Sequence, residues 1–142
     1  MQTVLITGGT GMIGQALAKQ LIAKGYEVII LTRNPKRSSR PHLTYAKWDV
    51  AKQEIDVVAV AKANCIVHLA GEGVADKRWT DKRKQAIVDS RVQSGQFLVK
   101  VLSENKHQVT SFISASAIGW YGADTPQSVE QGFQETDAAD DS

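Results

Sequence analysis

The chain is poor in cysteine, in long apolar runs and, over two stretches, in charge of one sign. Cys65 is the single cysteine, so no internal disulfide can form and a reducing, cytoplasmic setting is expected. No apolar run approaches the roughly 18 residues that a membrane-crossing helix needs, which argues against an integral membrane protein. The segment Met1 to Thr7 has no basic residue before its short apolar run and meets glycine directly after it. No secretory leader is therefore expected. Bases are missing after Lys106, and acids are missing between Glu27 and Asp49. The formal net charge of +2 thus conceals a basic body, holding all 17 Lys and Arg, and an acidic stretch over residues 107–142. A basic body attracts phosphates. Its bases are not interleaved with aromatic residues that would stack on single strands, so no nucleic-acid partner is expected. No metal site is expected either.

What is present is a globular composition, 42% hydrophobic and 23% charged over 142 residues, enough for one core. Short β-rich runs alternate with helical ones. Thr3–Thr7 and Glu27–Thr32 read as near-continuous apolar strands of a parallel sheet. Between them Ile13, Leu17 and Leu21 recur at helical spacing, and Lys24-Gly25 supplies a C-terminal stop. Residues 43–47 and 64–70 read as third and fourth strands, with a helix over 50–62 between them. Thr80 caps a long helix whose buried stripe is expected at Ile87, Val88, Val92, Leu98, Val99 and Leu102, ending at Glu104-Asn105. Residues 109–115 make a fifth strand. The expected fold is α/β, a Rossmann-type doubly wound parallel sheet of order 3-2-1-4-5, truncated after about five strands. Residues 1–122 form its dinucleotide-binding domain, and 123–142 an acidic loop without helix or strand.

Thr7-Gly8-Gly9-Thr10-Gly11-Met12-Ile13-Gly14 follows the first strand directly. It fits G-x-G-x-x-G from Gly9 and G-x-x-G-x-x-G from Gly8. Between a strand and a helix, these glycines permit a tight turn, close approach of a pyrophosphate and helix packing, with the amides near Met12 and Ile13 facing the diphosphate. An NAD site would then place an acid about 20 residues on. Instead the second strand ends in Leu31-Thr32-Arg33-Asn34-Pro35-Lys36-Arg37. A guanidinium at Arg33, shared by Arg37 and flanked by Asn34, suits a 2′-phosphate that a carboxylate would repel. NADP(H) is therefore expected over NAD(H), with a solvated basic loop as the alternative.

These residues resemble the short-chain dehydrogenase/reductases, in the extended or atypical branch similar to nucleoside-diphosphate-sugar epimerases. The likeness rests on Thr7 to Gly14, Trp48-Asp49, His68-Leu69-Ala70-Gly71, Ala75-Asp76-Lys77-Arg78-Trp79 and the run Ser114 to Gly122. The subgroup it points to has also carried a cell-division-inhibitor label, which nothing in these residues supports. The resemblance implies that Trp48 and Asp49 border the adenine, with Asp49 accepting from its amino group or, alternatively, capping the next helix. It implies that Leu69, Ala70 and Gly71 run along the cofactor, as do Ser114 and Ala115. His68 and Cys65 then read as buried structural residues, a base at His68 being the alternative. Lys77 and Arg78 meet an anionic substrate or solvent.

The same resemblance calls for a Ser or Thr, a Tyr, and a Lys four residues after it whose charge lowers the Tyr pKa. Tyr26, Tyr45 and Tyr121 are followed at that spacing by Ile30, Asp49 and Thr125, so the pair is missing. Ser116 and Tyr121 are the remaining catalytic candidates. The chain is expected to be the N-terminal half of a protein about twice as long, since two mononucleotide-binding halves need six strands. Two functions stay open: the cofactor half of an NADP-dependent epimerase, dehydratase or oxidoreductase with an unidentified small-molecule substrate, or a silent NADP(H)-binding module. A homodimer is compatible with both.

Overall fold

The computed structural model describes residues 1–71, 77–116 and 118–141. The elements run β1 (Thr3–Thr7), α1 (Met12–Ala23), β2 (Glu27–Thr32), β3 (Leu43–Asp49), β4 (Glu54–Ile55), α2 (Val57–Lys62), β5 (Cys65–His68), α3 (Asp81–Glu104) and β6 (Ser111–Ser114). A 3₁₀ turn (Ile118–Tyr121) and α4 (Pro126–Gln131) follow. The strands form one sheet in the order β4-β3-β2-β1-β5-β6. Five of them are parallel, and β4 is antiparallel to β3. The parallel five keep the expected 3-2-1-4-5 order, so this is a Rossmann-like α/β sheet. No helix among the described residues is long and apolar enough to cross a membrane.

The central strands are apolar throughout because helices cover both faces. On one face Leu5, Ile29, Leu31, Trp48 and Ile66 pack with Ala59 and Val60 of α2 and with Phe97, Leu98 and Val101 of α3. On the other, Val4, Ile6, Val28, Ile30 and Val67 pack with Ala18 and Leu17 of α1. Full burial of one such aliphatic side chain contributes about 1.5–3 kcal/mol. Gly25 closes α1 at φ +91°. Its N–H donates to Ile22 O while Tyr26 N–H donates to Leu21 O, the paired bonds that let a left-handed residue finish a helix.

Several expectations need correction. The helix expected over 50–62 starts only at Val57, because Asp56 is the N-cap, its carboxylate accepting from Val58 and Ala59 N–H. Residues 54–55 are instead the edge strand β4. Asp49 consequently does not cap α2; its Oδ1 accepts from Lys52 N–H at 3.1 Å inside a turn. The buried stripe of α3 is Ser94, Phe97, Leu98 and Val101. Val88, Val92 and Val99 are 54%, 48% and 62% exposed, since at 100° per residue they lie on nearly the opposite side of the helix. Apolar identity alone did not reveal which of two stripes faces the sheet. The acidic stretch contains α4, started by Thr125, whose hydroxyl and that of Ser128 cap each other's backbone N–H. Asp140 N–H returns to Trp120 O at 2.7 Å, folding that stretch back.

Candidate functional site

The glycine loop lies at the carboxyl edge of β1, where parallel sheets place their ligand crevices. Gly8 adopts φ +70°, and a Cβ there would come within 2.8–2.9 Å of the Leu69 and Ala70 backbone. At Gly14 a Cβ would overlap the Gly8 carbonyl oxygen and the Gly9 Cα. Both glycines are therefore needed for the loop to nest against α1 and the turn after β5. Gly11 differs. A Cβ there meets only Gly8 O, at 3.4 Å, so the space above Gly11 is open.

Among the described residues, three of the four α-helices have a side-chain N-cap: Asp56, Thr80 and Thr125. At α1 the N-cap is Gly11 and no side chain caps it. The first amides of α1, at Met12 and Ile13, are left with the positive end of the helix dipole and no acceptor among the described residues. Met12 and Ile13 side chains are exposed beside them. An anion with several acceptor oxygens fits this cradle.

A cleft of about 450 Å³ runs from the loop across the sheet edge. Its lining includes Gly8 and Thr10, Thr32-Arg33 at the end of β2, Trp48-Asp49 at the end of β3, Ala70-Gly71 after β5, and Ser90, Gln93 and Ser94 of α3. Trp48 is buried and stacks on Phe97, with ring centroids 6.5 Å apart. Arg33 is exposed, and its carbonyl accepts from Lys47 Nζ. Its guanidinium has no hydrogen-bond or ion-pair partner among the described residues. Arg37 does not line this cleft. It lines a second one of about 430 Å³ with Lys36, Arg40 and Tyr45, and Thr10 borders both. Asn34 lines neither, its N–H donating to Thr32 Oγ1 at 3.3 Å.

The turn after β5 is held by Thr7. Its Oγ1 accepts from Leu69 N–H and Ala70 N–H, each at 3.1 Å, and lies 2.6 Å from His68 Nδ1. His68 Nε2 lies 3.1 Å from Ser94 Oγ, which donates to Arg91 O. Burial pushes the His68 imidazole below the ordinary histidine value and the half-buried Cys65 thiol above its own. Both sit within the packed sheet, His68 buried and bonded at each ring nitrogen.

Residues predicted for catalysis stand elsewhere. Ser116 is exposed beyond β6, and Tyr121 stacks on Phe133 at a centroid distance of 4.9 Å. Neither borders the cleft. Ser114 is exposed at the end of β6, and Ala115 N–H donates to His68 O. Lys77 and Arg78 are exposed, while Ala75, Asp76 and Ala117 lie outside the described residues. Among the described residues no group of three or more His, Cys, Asp or Glu is placed to hold a metal. Ser90, Gln93 and Ser94 were missed from sequence. Their signal was there: polar residues at i, i+3 and i+4, interrupting the apolar stripe of a helix.

The family described as NAD dependent epimerase/dehydratase matches residues 4–140. An epimerase family protein of Staphylococcus saprophyticus is 38% identical over 124 residues, covering 87% of this chain and 40% of that protein. A nucleoside-diphosphate sugar epimerase from Corynebacterium glutamicum superposes with a TM-score of 0.66 at 36% identity, over 99% of this chain and 27% of that one. A human epimerase family protein, crystallised with NADPH, gives a TM-score of 0.66 at 27% identity, over 84% and 38%. The chain spans about 40% of the length of the curated relatives it matches.

Proposed function

Because the chain belongs to the NAD dependent epimerase/dehydratase family, we propose that it forms the NADP(H)-binding part of an epimerase, dehydratase or oxidoreductase. The reaction is hydride transfer at a hydroxyl or carbonyl carbon, and a nucleotide sugar is the favoured substrate class. Residues 1–122 are the binding domain on this reading. The observation that carries it is the uncapped start of α1 next to a glycine loop that lines a cleft whose β2 corner holds Arg33 and no acid. The human relative crystallised with NADPH supports the same choice.

The residues present fit such a cofactor. Amides at Met12 and Ile13 would take the diphosphate, Asp49 the adenine amino group, and Arg33 the 2′-phosphate, while Leu69, Ala70 and Gly71 would present backbone along its length. When bound, the nicotinamide supplies a hydride acceptor or donor. The protein orients it and neutralises its charge. Arg37, on the far side of Thr10, adds long-range attraction.

Calorimetric titration of NADPH and NADH tests this. Arg33→Ala is expected to weaken NADPH by about 1.5–3 kcal/mol, the scale of a hydrogen bond to a charged group, with NADH nearly unchanged. Arg33→Asp is expected to invert the preference, since it adds repulsion. Equal losses for both cofactors would overturn the NADP assignment. Failure of the wild type to bind either would overturn the dinucleotide assignment itself. A silent binding module is the second reading, favoured by the position of Ser116 and Tyr121 outside the cleft. It predicts binding without turnover on nucleotide sugars and simple carbonyls by the full-length protein, whereas these 142 residues alone are expected to bind without turnover on either reading.

A further inference from the structure

We propose that His68 is a positioning residue for the dinucleotide: through Nδ1 it fixes the hydroxyl rotor of Thr7, and through Thr7 it shapes the Leu69–Gly71 turn of the cleft. Thr7 Oγ1 has two lone pairs and one hydrogen. Both lone pairs are directed at amides, since Ala70 N–H and Leu69 N–H each donate to it at 3.1 Å. Leu69 N–H is shared with Thr7 O, whereas among the described residues the hydroxyl is the sole acceptor of Ala70 N–H. The single hydroxyl hydrogen must therefore go to His68 Nδ1, 2.6 Å away. This makes Nδ1 an acceptor and places the imidazole hydrogen on Nε2. There it donates to Ser94 Oγ, which passes its own hydrogen to Arg91 O. The neutral ring satisfies every partner in one arrangement, and the chain links β1, β5 and α3 beneath the cleft wall.

Protonated His68 cannot keep that arrangement. An N–H at Nδ1 would need a lone pair of Thr7 Oγ1, and the hydroxyl hydrogen would then turn onto the Leu69 or Ala70 amide, donor against donor. The turn carrying Ala70 and Gly71, both of which line the cleft, loses its anchor. Among the described residues, the groups bonded to or stacked near the ring are uncharged: Thr7, Ser94 and Phe112, whose ring centroid is 6.2 Å away. Arg91 lies on the same wall with its guanidinium against Gly71. Arg33 and Asp49 belong to the strand ends across the cleft.

The proposal rests on the dinucleotide reading for its binding readout only. Nitrogen and proton resonances of the wild-type chain, followed from about pH 7.5 to pH 5, give the ligand-free readout. The expected result is a neutral ring with hydrogen on Nε2, and Leu69 and Ala70 amide shifts that titrate together with the ring. Hydrogen on Nδ1, or a ring that titrates while those amides stay still, would overturn the proposal. In the binding readout, NADPH affinity of the wild type is expected to fall roughly three- to tenfold further over this range than that of His68→Asn, which keeps an acceptor but cannot titrate. The phosphates' own titration is common to both proteins and cancels in the comparison. Parallel profiles would overturn the proposal. Should His68→Asn not fold, Thr7→Val replaces it and is expected to flatten the profile, with Thr7→Ser restoring it. A wild type that binds no dinucleotide at either pH sinks the dinucleotide reading instead, and the amide titration still decides the role of His68.

Discussion

At the centre of the sheet Val4 to Thr7 and Val28 to Leu31 are buried without a break, whereas all four residues of β6 are exposed. Both regions carry β-branched or aromatic residues in strands of the same parallel sheet, so the presence of such residues does not separate them. Covering does. β1 and β2 have α1 on one face and α2 with α3 on the other. β6 pairs with β5 along one edge, but Ile113 is 56% and Phe112 40% exposed. The glycine loop hangs from the covered end, where a packed core can hold Gly8 in a left-handed conformation. Ser116 and Tyr121 hang from the uncovered end. The loop proposed to bind the dinucleotide thus rests on a packed base, and the proton-transfer candidates do not.

The contrast breaks most visibly at two glycines of one loop. Gly14→Val is expected to cost about 3 kcal/mol or more, because its Cβ overlaps Gly8 and Gly9 backbone that no side-chain motion can relieve. Gly11→Val is expected to leave the fold native-like, since Gly11 has φ −77° and open space, while abolishing NADPH binding by filling the diphosphate position. Circular dichroism with thermal melts and calorimetry separate the two outcomes. A folded Gly14→Val, or undiminished NADPH affinity in Gly11→Val, would refute the division of labour within the loop.

A smaller effect compares the two ends directly. Leu5 is fully buried between α2 and α3, so Leu5→Ala is expected to lower stability by about 2–5 kcal/mol through lost transfer energy and a cavity. Ile113→Ala is expected to change it by less than about 0.5 kcal/mol. Urea titrations measure both. A large loss at Ile113 would mean that β6 is covered in solution by something beyond the described residues.

The same division explains what the sequence disclosed. The loop and the place of Arg33 were legible because each is local, a motif between two periodic segments or the residue that follows a strand, and strand order was legible from the alternation of strands and helices. Thr80 and Gly25 were legible as caps for the same reason. The face of α3 was not. Val88, Val92 and Val99 make as regular an apolar stripe as Phe97, Leu98 and Val101, and only packing against Leu5 and Ile66 decides between them. The polar trio Ser90, Gln93 and Ser94 was lost in that error. β4 escaped notice because two residues carry no period, and α4 because its cap uses Ser128 in place of an acid.

Gly95 gives the smallest and most diagnostic change. It sits inside α3 between the exposed valines 92 and 99, and a Cβ placed there meets nothing within 4 Å. Glycine in a helix interior costs about 0.8–1 kcal/mol relative to alanine, through the backbone freedom it retains when unfolded. Gly95→Ala is therefore expected to stabilise the chain by about that amount and raise the Tm by a few degrees. The sign carries the information. A gain confirms that this side of α3 faces solvent, as the uncovered end of the molecule requires. A loss would show that another surface approaches the Gly95 backbone too closely for a methyl group, which would extend the covered half of the molecule around the outside of α3.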